Sequence, residues 1–224
     1  MSQPAHDKNK HPKLDFQVER LAFFSDAVFA IAITLLVIEF KVPHITKETT
    51  YDEVWHELAD LKYKFLALLL SFFLIANYWV RHHLLFKHIN NYNRPILMCN
   101  LFMLLPVIFF PFSTAFFYES QTNPAVFPLG CQLFLLNNSI ASLLLYILYW
   151  MVTKKYPHLS YPMEEKEKQV FTFRVLWMTI SMILMLLLSF ISFEVTIYGL
   201  APLFVVNMYK QFFKKKTTVT THVK

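Results

Sequence analysis

Between residues 18 and 209 the chain alternates long apolar runs with short polar connections. A run of about 20 apolar residues is the length that crosses a bilayer as a helix. The apolar residues are continuous within each run rather than spaced along one helix face, which argues against a surface helix of a soluble domain. The pattern predicts an all-α membrane protein with six spans, at about 18–41, 61–83, 94–118, 128–153, 170–193 and 195–209. Residues 1–17 read as a hydrophilic tail and 211–224 as a basic tail. The last span is short and is interrupted by Gly199 and Pro202. Tyr51–Asp60 reads as a separate short amphipathic helix, with Val54, Trp55 and Leu58 on one face. Pro106 and Pro111 fall inside the third run and predict a bend there.

The first run is the unusual one. Its sequence, RLAFFSDAVFAIAITLLVIEF, begins with Arg20, Ser25 and Asp26 in the first two turns and is otherwise apolar from Ile31 to Glu39 apart from Thr34. A carboxylate at the bilayer centre costs roughly 2.5–3.5 kcal/mol, so such a group faces protein or water and has a partner. Arg20 and Asp26 are six apart, which places them about 120° around one helix. Each therefore reaches for other helices rather than for the other. Asn77, Trp79, His82 and His83 lie at the matching end of the second run and are the expected partners.

Composition supports the membrane reading. The chain is 56% hydrophobic and 16% charged, with 24 Phe and only two Gly, against roughly 25% charged for a soluble domain. The formal charge of +6 sits between the runs, where it sets topology rather than recruiting nucleic acid. With six spans, 17 of the 21 Lys and Arg fall on the side of the two termini, which predicts cytoplasmic termini and a multi-pass protein of the cell membrane. The polar start of the chain does not resemble a signal peptide. Cys99 and Cys131 both lie within apolar runs and read as reduced core thiols.

Chemistry narrows the function. No Ser or Cys sits in a nucleophile motif, and the adjacent His82 and His83 point about 100° apart, so they do not converge on one metal. An enzyme, a cofactor and a metal site are therefore not expected. A carbonyl filter needs a Gly-rich loop between helices, and none occurs. If the chain forms a channel, helix side chains line the pore. Ile31, Leu35 and Ile38 follow one helical stripe with Thr34 beside it. Rings of such residues around a shared axis hold back water and ions by dewetting. The same stripe also suits a lipid-facing or packed surface, and spacing alone does not separate these.

Arg20, Phe24, Ser25 and Asp26 spell R-x-x-x-F-S-D at the start of a first spanning helix. This motif, the AVFAIAITLLVIEF that follows and the polar end of the second run resemble the transmembrane protein 175 family of potassium channels. A second copy of the motif is absent, so the chain resembles the prokaryotic single-repeat members, which assemble as homotetramers. The resemblance implies a K⁺-permeable, leak-like channel in which the first helix lines the pore. It implies that Ile31 forms the narrowest point, that Leu35 and Ile38 form further apolar rings, and that Thr34 bears on selectivity. It assigns Arg20, Phe24, Ser25 and Asp26 to a structural polar cluster away from the ion path. The expected partners are K⁺, the lipid bilayer and other copies of this chain. Two rival readings remain: a secondary transporter using Asp26 as a proton-coupled site, and a non-conducting membrane scaffold.

Overall fold

The computed structural model describes residues 12–38 and 45–192. These residues are helical almost throughout. Five α-helices follow in order: α1 (Pro12–Ile38), α2 (Tyr51–Phe86), α3 (Arg94–Ser120), α4 (Phe127–Trp150) and α5 (Glu165–Ser189). A π-helical turn, Met151–Lys155, extends α4, and a short 3₁₀ turn, Pro157–Leu159, leads toward α5. Among the described residues, four stretches are long and apolar enough to cross a membrane: Phe16–Ile38, Arg94–Ser120, Phe127–Lys155 and Glu165–Ser189. They correspond to the first, third, fourth and fifth predicted spans. α2 is not one of these four. The sixth predicted span, both chain termini and the end of the first run lie outside the described residues.

Local sequence explains the boundaries. Thr50 and Glu53 form a reciprocal capping box: the Glu53 N–H donates to Thr50 Oγ1 at 3.3 Å, and the Thr50 N–H donates to Glu53 Oε2 at 2.8 Å. Such a cap is worth about 1 kcal/mol. No Gly or Pro follows before Phe86, so nothing interrupts the helix. Tyr51–Asp60 is thus the first part of α2, not a separate helix. α3 starts at Asn93, whose side chain accepts the Ile96 N–H at 3.1 Å, with Pro95 in the first turn. It continues through Pro106 and Pro111. Asn137 of α4 donates to the Pro106 carbonyl at 3.0 Å, one turn before Pro111.

α3 is the central helix, packed against α1, α2 and α4, while α5 packs on α4. The apolar core falls into two parts. One joins Phe29, Ala32 and Leu36 of α1 to Ile75 and Tyr78 of α2, Met103 and Phe110 of α3, and Phe134 and Leu145 of α4. The other joins Val18 and Leu21 of α1 to Leu85 of α2, Ile96 of α3, Leu148 of α4 and Val175 of α5. This second part places the start of α1 beside the ends of α2 and α4. The α2–α3 and α4–α5 connections are tied together at the same end. Ile89 pairs with Ser160 in an isolated antiparallel bridge, and the Tyr161 N–H donates to the His88 carbonyl at 2.7 Å.

Most polar side chains inside the bundle find partners, as burial in an apolar medium demands; among the described residues, Ser139 Oγ and one ring nitrogen of His82 do not. Ser71 and Thr114 share a 2.7 Å hydrogen bond across α2 and α3, and the Tyr78 hydroxyl donates to the Asn138 carbonyl at 2.9 Å.

Candidate functional site

α1 carries two faces, and the sequence order of its residues sets them apart. Ser25, Phe29, Ala32 and Leu36 recur at intervals of four, three and four, so they form one stripe. All four are buried against the neighbouring helices. Ile31 is six residues past Ser25 and therefore points about 120° away. Ile31, Leu35 and Ile38 are 57%, 37% and 69% exposed, and Thr34 beside them is exposed too. The Thr34 hydroxyl donates to the Ile31 carbonyl at 2.8 Å. Its proton is committed to its own helix, and its oxygen lone pairs are what it offers outward.

At the start of the helix the buried face becomes polar. The Ser25 hydroxyl donates to the Leu21 carbonyl at 2.9 Å, and Ser25 Oγ accepts from Asn100 Nδ2 at 3.0 Å. Asn100 Oδ1 then faces His82 Nε2 at 2.7 Å. The direction of this chain follows from its ends. With Ser25 donating to a carbonyl, Asn100 must present its amide N–H to Ser25 and its oxygen to His82. His82 therefore donates from Nε2. Its Nδ1 is a buried acceptor with no hydrogen-bond partner among the described residues. The ring stacks on Phe86 at 4.3 Å between centroids and tilts against Phe29 at 5.5 Å. Three helices thus meet through one serine, one asparagine and one histidine.

Asp26 occupies a different side of α1. Its Oδ1 accepts the Trp79 indole N–H at 2.9 Å, and His83 lies 5.5 Å from the Trp79 ring. Arg81, buried, donates from Nε to Asn77 Oδ1 at 2.8 Å and from its guanidinium to the Arg174 carbonyl of α5. The predicted partners on α2 therefore divide among three separate contacts. Trp79 holds Asp26, His82 reaches Ser25 only through Asn100, and Asn77 serves Arg81. His83 packs on the Trp79 ring.

Arg20 and Phe24, expected in the same cluster, lie outside it. Both are exposed. The Arg20 guanidinium sits 5.9 Å from the Phe16 ring centroid, on its own helix. The reason is geometric: the 120° between Arg20 and Asp26 turns Arg20 away from α2, toward the side that also bears Ile31. Asn100 is the residue that sequence reasoning missed. Its signal was present, a lone Asn inside the third apolar run, CNLFMLL. Among the described residues no group of three or more His, Cys, Asp or Glu is arranged to hold a metal.

The family described as the endosomal/lysosomal potassium channel TMEM175 matches this chain over residues 20–111. That stretch contains the whole Ser25–Asn100–His82 chain, the Asp26–Trp79 pair and the exposed Ile31 stripe. A potassium channel of Streptomyces collinus is 32% identical over 135 residues, 60% of this chain and 64% of the relative. A potassium channel of Chamaesiphon minutus is 42% identical over 105 residues, 47% of this chain and 51% of the relative. The chain thus aligns with about half to two thirds of the length of these curated relatives. The crystal structure of a lysosomal potassium-selective channel TMEM175 homolog from Chamaesiphon minutus superposes with a TM-score of 0.70 at 28% identity, over 86% of this chain and 95% of that one. The resemblance read from R-x-x-x-F-S-D is shown by these matches.

Proposed function

From its likeness to the transmembrane protein 175 channels, we propose that this chain is the subunit of a potassium-permeable, leak-like channel of the cell membrane. The subunit spans the bilayer six times, with α2 and the run at 195–209 completing the set, and both termini are cytoplasmic. Four copies surround one axis, and α1 of each lines the pore. Ile31, Leu35 and Ile38 form successive apolar rings. Ile31 is the narrowest, and Thr34 bears on the choice of ion.

The observation that carries this reading is the division of α1. One stripe is locked into the subunit by Ser25, Phe29, Ala32 and Leu36, while Ile31, Leu35 and Ile38 remain uncovered on another side. An apolar face next to a polar anchoring network suits a wall that must be both rigid and water-repelling. Rings of aliphatic side chains restrict hydration when narrow. The Ser25–Asn100–His82 chain and the Asp26–Trp79 bond then hold the helix at its cytoplasmic end and stay out of the ion path.

Planar-bilayer recording of purified protein in asymmetric K⁺ and Na⁺ tests the proposal. Discrete current steps with a reversal potential displaced toward that of K⁺ are expected. Ile31→Asn should raise conductance or weaken discrimination between the ions. Equal conduction by Ile31→Asn and wild type would remove the gate from Ile31. Saturable flux driven by a proton gradient and lost in Asp26→Asn would make the protein a transporter, and no flux at all would leave a scaffold.

A further inference from the structure

α4 ends differently from α2, α3 and α5. Its last turn widens into a π turn closed by the Tyr156 N–H donating to the Met151 carbonyl at 2.8 Å. Lys154 and Lys155 leave this turn exposed. The Lys155 ammonium stands 5.9 Å from the Trp150 ring centroid and 5.5 Å from that of Tyr156. Trp150 is itself 43% exposed. Toward the middle of α4, Leu136, Ile140 and Leu143 are exposed at helical spacing in register with Trp150. An apolar track therefore runs along the helix to an aromatic ring and finishes at two ammonium groups.

We propose that this track is a binding site for an anionic diacyl phospholipid. The acyl chains lie along Leu136, Ile140 and Leu143. Trp150 sits at the level of the glycerol backbone, where its amphipathic ring is favoured. The phosphate meets Lys154 and Lys155. The two rings that flank Lys155 keep its ammonium at the membrane edge, where a headgroup passes, instead of letting it extend into water. Charge complementarity selects the occupant: two adjacent exposed ammonium groups favour a net-negative headgroup over a zwitterionic one. The site lies at the same end of the bundle as the His82 network, because the ends of α2 and α4 share one core. The inference rests on α4 spanning the membrane and not on conduction.

Native mass spectrometry of the full-length protein, titrated with phosphatidylglycerol or phosphatidylcholine, tests it. Wild type should bind the anionic lipid roughly fivefold to tenfold more tightly. Lys154→Gln/Lys155→Gln should bring the two affinities together without changing the melting temperature, since both side chains are exposed. Lys62→Gln, exposed on the first half of α2, should leave the preference intact. A wild type without preference, or a double variant that keeps it, overturns the proposal. So does displacement of the lipid by inorganic phosphate, which would make the ligand a free anion. A protein that conducts as proposed but lacks the lipid preference loses this inference alone.

Discussion

Asn100 Oδ1 lies 2.7 Å from His82 Nε2, and both residues are fully enclosed by the bundle. Because Asn100 also donates to Ser25, one amide on α3 ties α1 to α2 where apolar contacts alone would let them slide. Asn100→Leu should therefore cost more than a lost hydrogen bond, since Ser25 Oγ and the His82 N–H are both left short of a partner. An unsatisfied buried group costs roughly 1–3 kcal/mol. Thermal unfolding in detergent should show a melting temperature lower by several degrees. An unchanged melting temperature would mean that water replaces the amide.

The bond from Trp79 to Asp26 predicts a different pattern. Asp26→Asn keeps an acceptor oxygen and should keep most of the stability. Asp26→Ala and Trp79→Phe should each lose about 1 kcal/mol, and the double variant should lose little more than either. Additive losses in this double-mutant cycle would show that the two residues act separately.

Thiol accessibility distinguishes the two faces of α1. Cys99 and Cys131 are buried and should react slowly with a water-soluble thiol reagent. Ile31→Cys should react and reduce the potassium current, if the exposed stripe faces the conduction path. Ala32→Cys, at a position only 2% exposed, should remain protected. Equal labelling of the two would remove the distinction between the faces.

Gly130 of α4 lies directly against the end of α3. A Cβ there would fall 2.0 Å from Ser120 Oγ and 2.7 Å from Ser120 Cβ. Gly130→Ala should destabilise by about 1–3 kcal/mol through overpacking. Ser120→Gly in the same chain removes both clashing atoms and should recover much of that loss. No recovery would place the conflict elsewhere, the Phe116 carbonyl at 3.3 Å being next nearest.

Phe29 and Ile31 are two residues apart and make opposite predictions. Phe29 is 1% exposed and touches the His82 ring, so Phe29→Ala should cost roughly 3–5 kcal/mol. Ile31→Ala should cost far less in the isolated subunit, because more than half of Ile31 is exposed there. Chemical unfolding of the subunit compares them, and similar losses would mean that Ile31 is packed within its own subunit.

Much of this was legible along the chain. Run length and the absence of amphipathic spacing are enough to read an all-α membrane protein, because a bilayer requires about 20 apolar residues per helix. The cost of charge in an apolar medium is enough to read Asp26 as partnered. The 120° between Arg20 and Asp26 follows from helix geometry alone, and so does the separation of Ile31 from Ser25. What periodicity did not reveal was which side each residue would face. Arg20 and Phe24 belong to the same motif as Ser25 and Asp26, yet only the last two turn toward the other helices. Asn100 is 75 residues from Ser25 and stands in an apolar run that gives no hint of its partners. Its role exists only because α3 packs against both α1 and α2. The continuity of α2 through Tyr51–Asp60 was decided locally, by the Thr50 capping box and the lack of a breaker. Hydrogen-bond partners across helices are decided by packing, which brings together atoms whose distance along the chain carries no information. That is why the need for a partner could be read from Asp26 itself, while Trp79 as that partner emerged only from the fold.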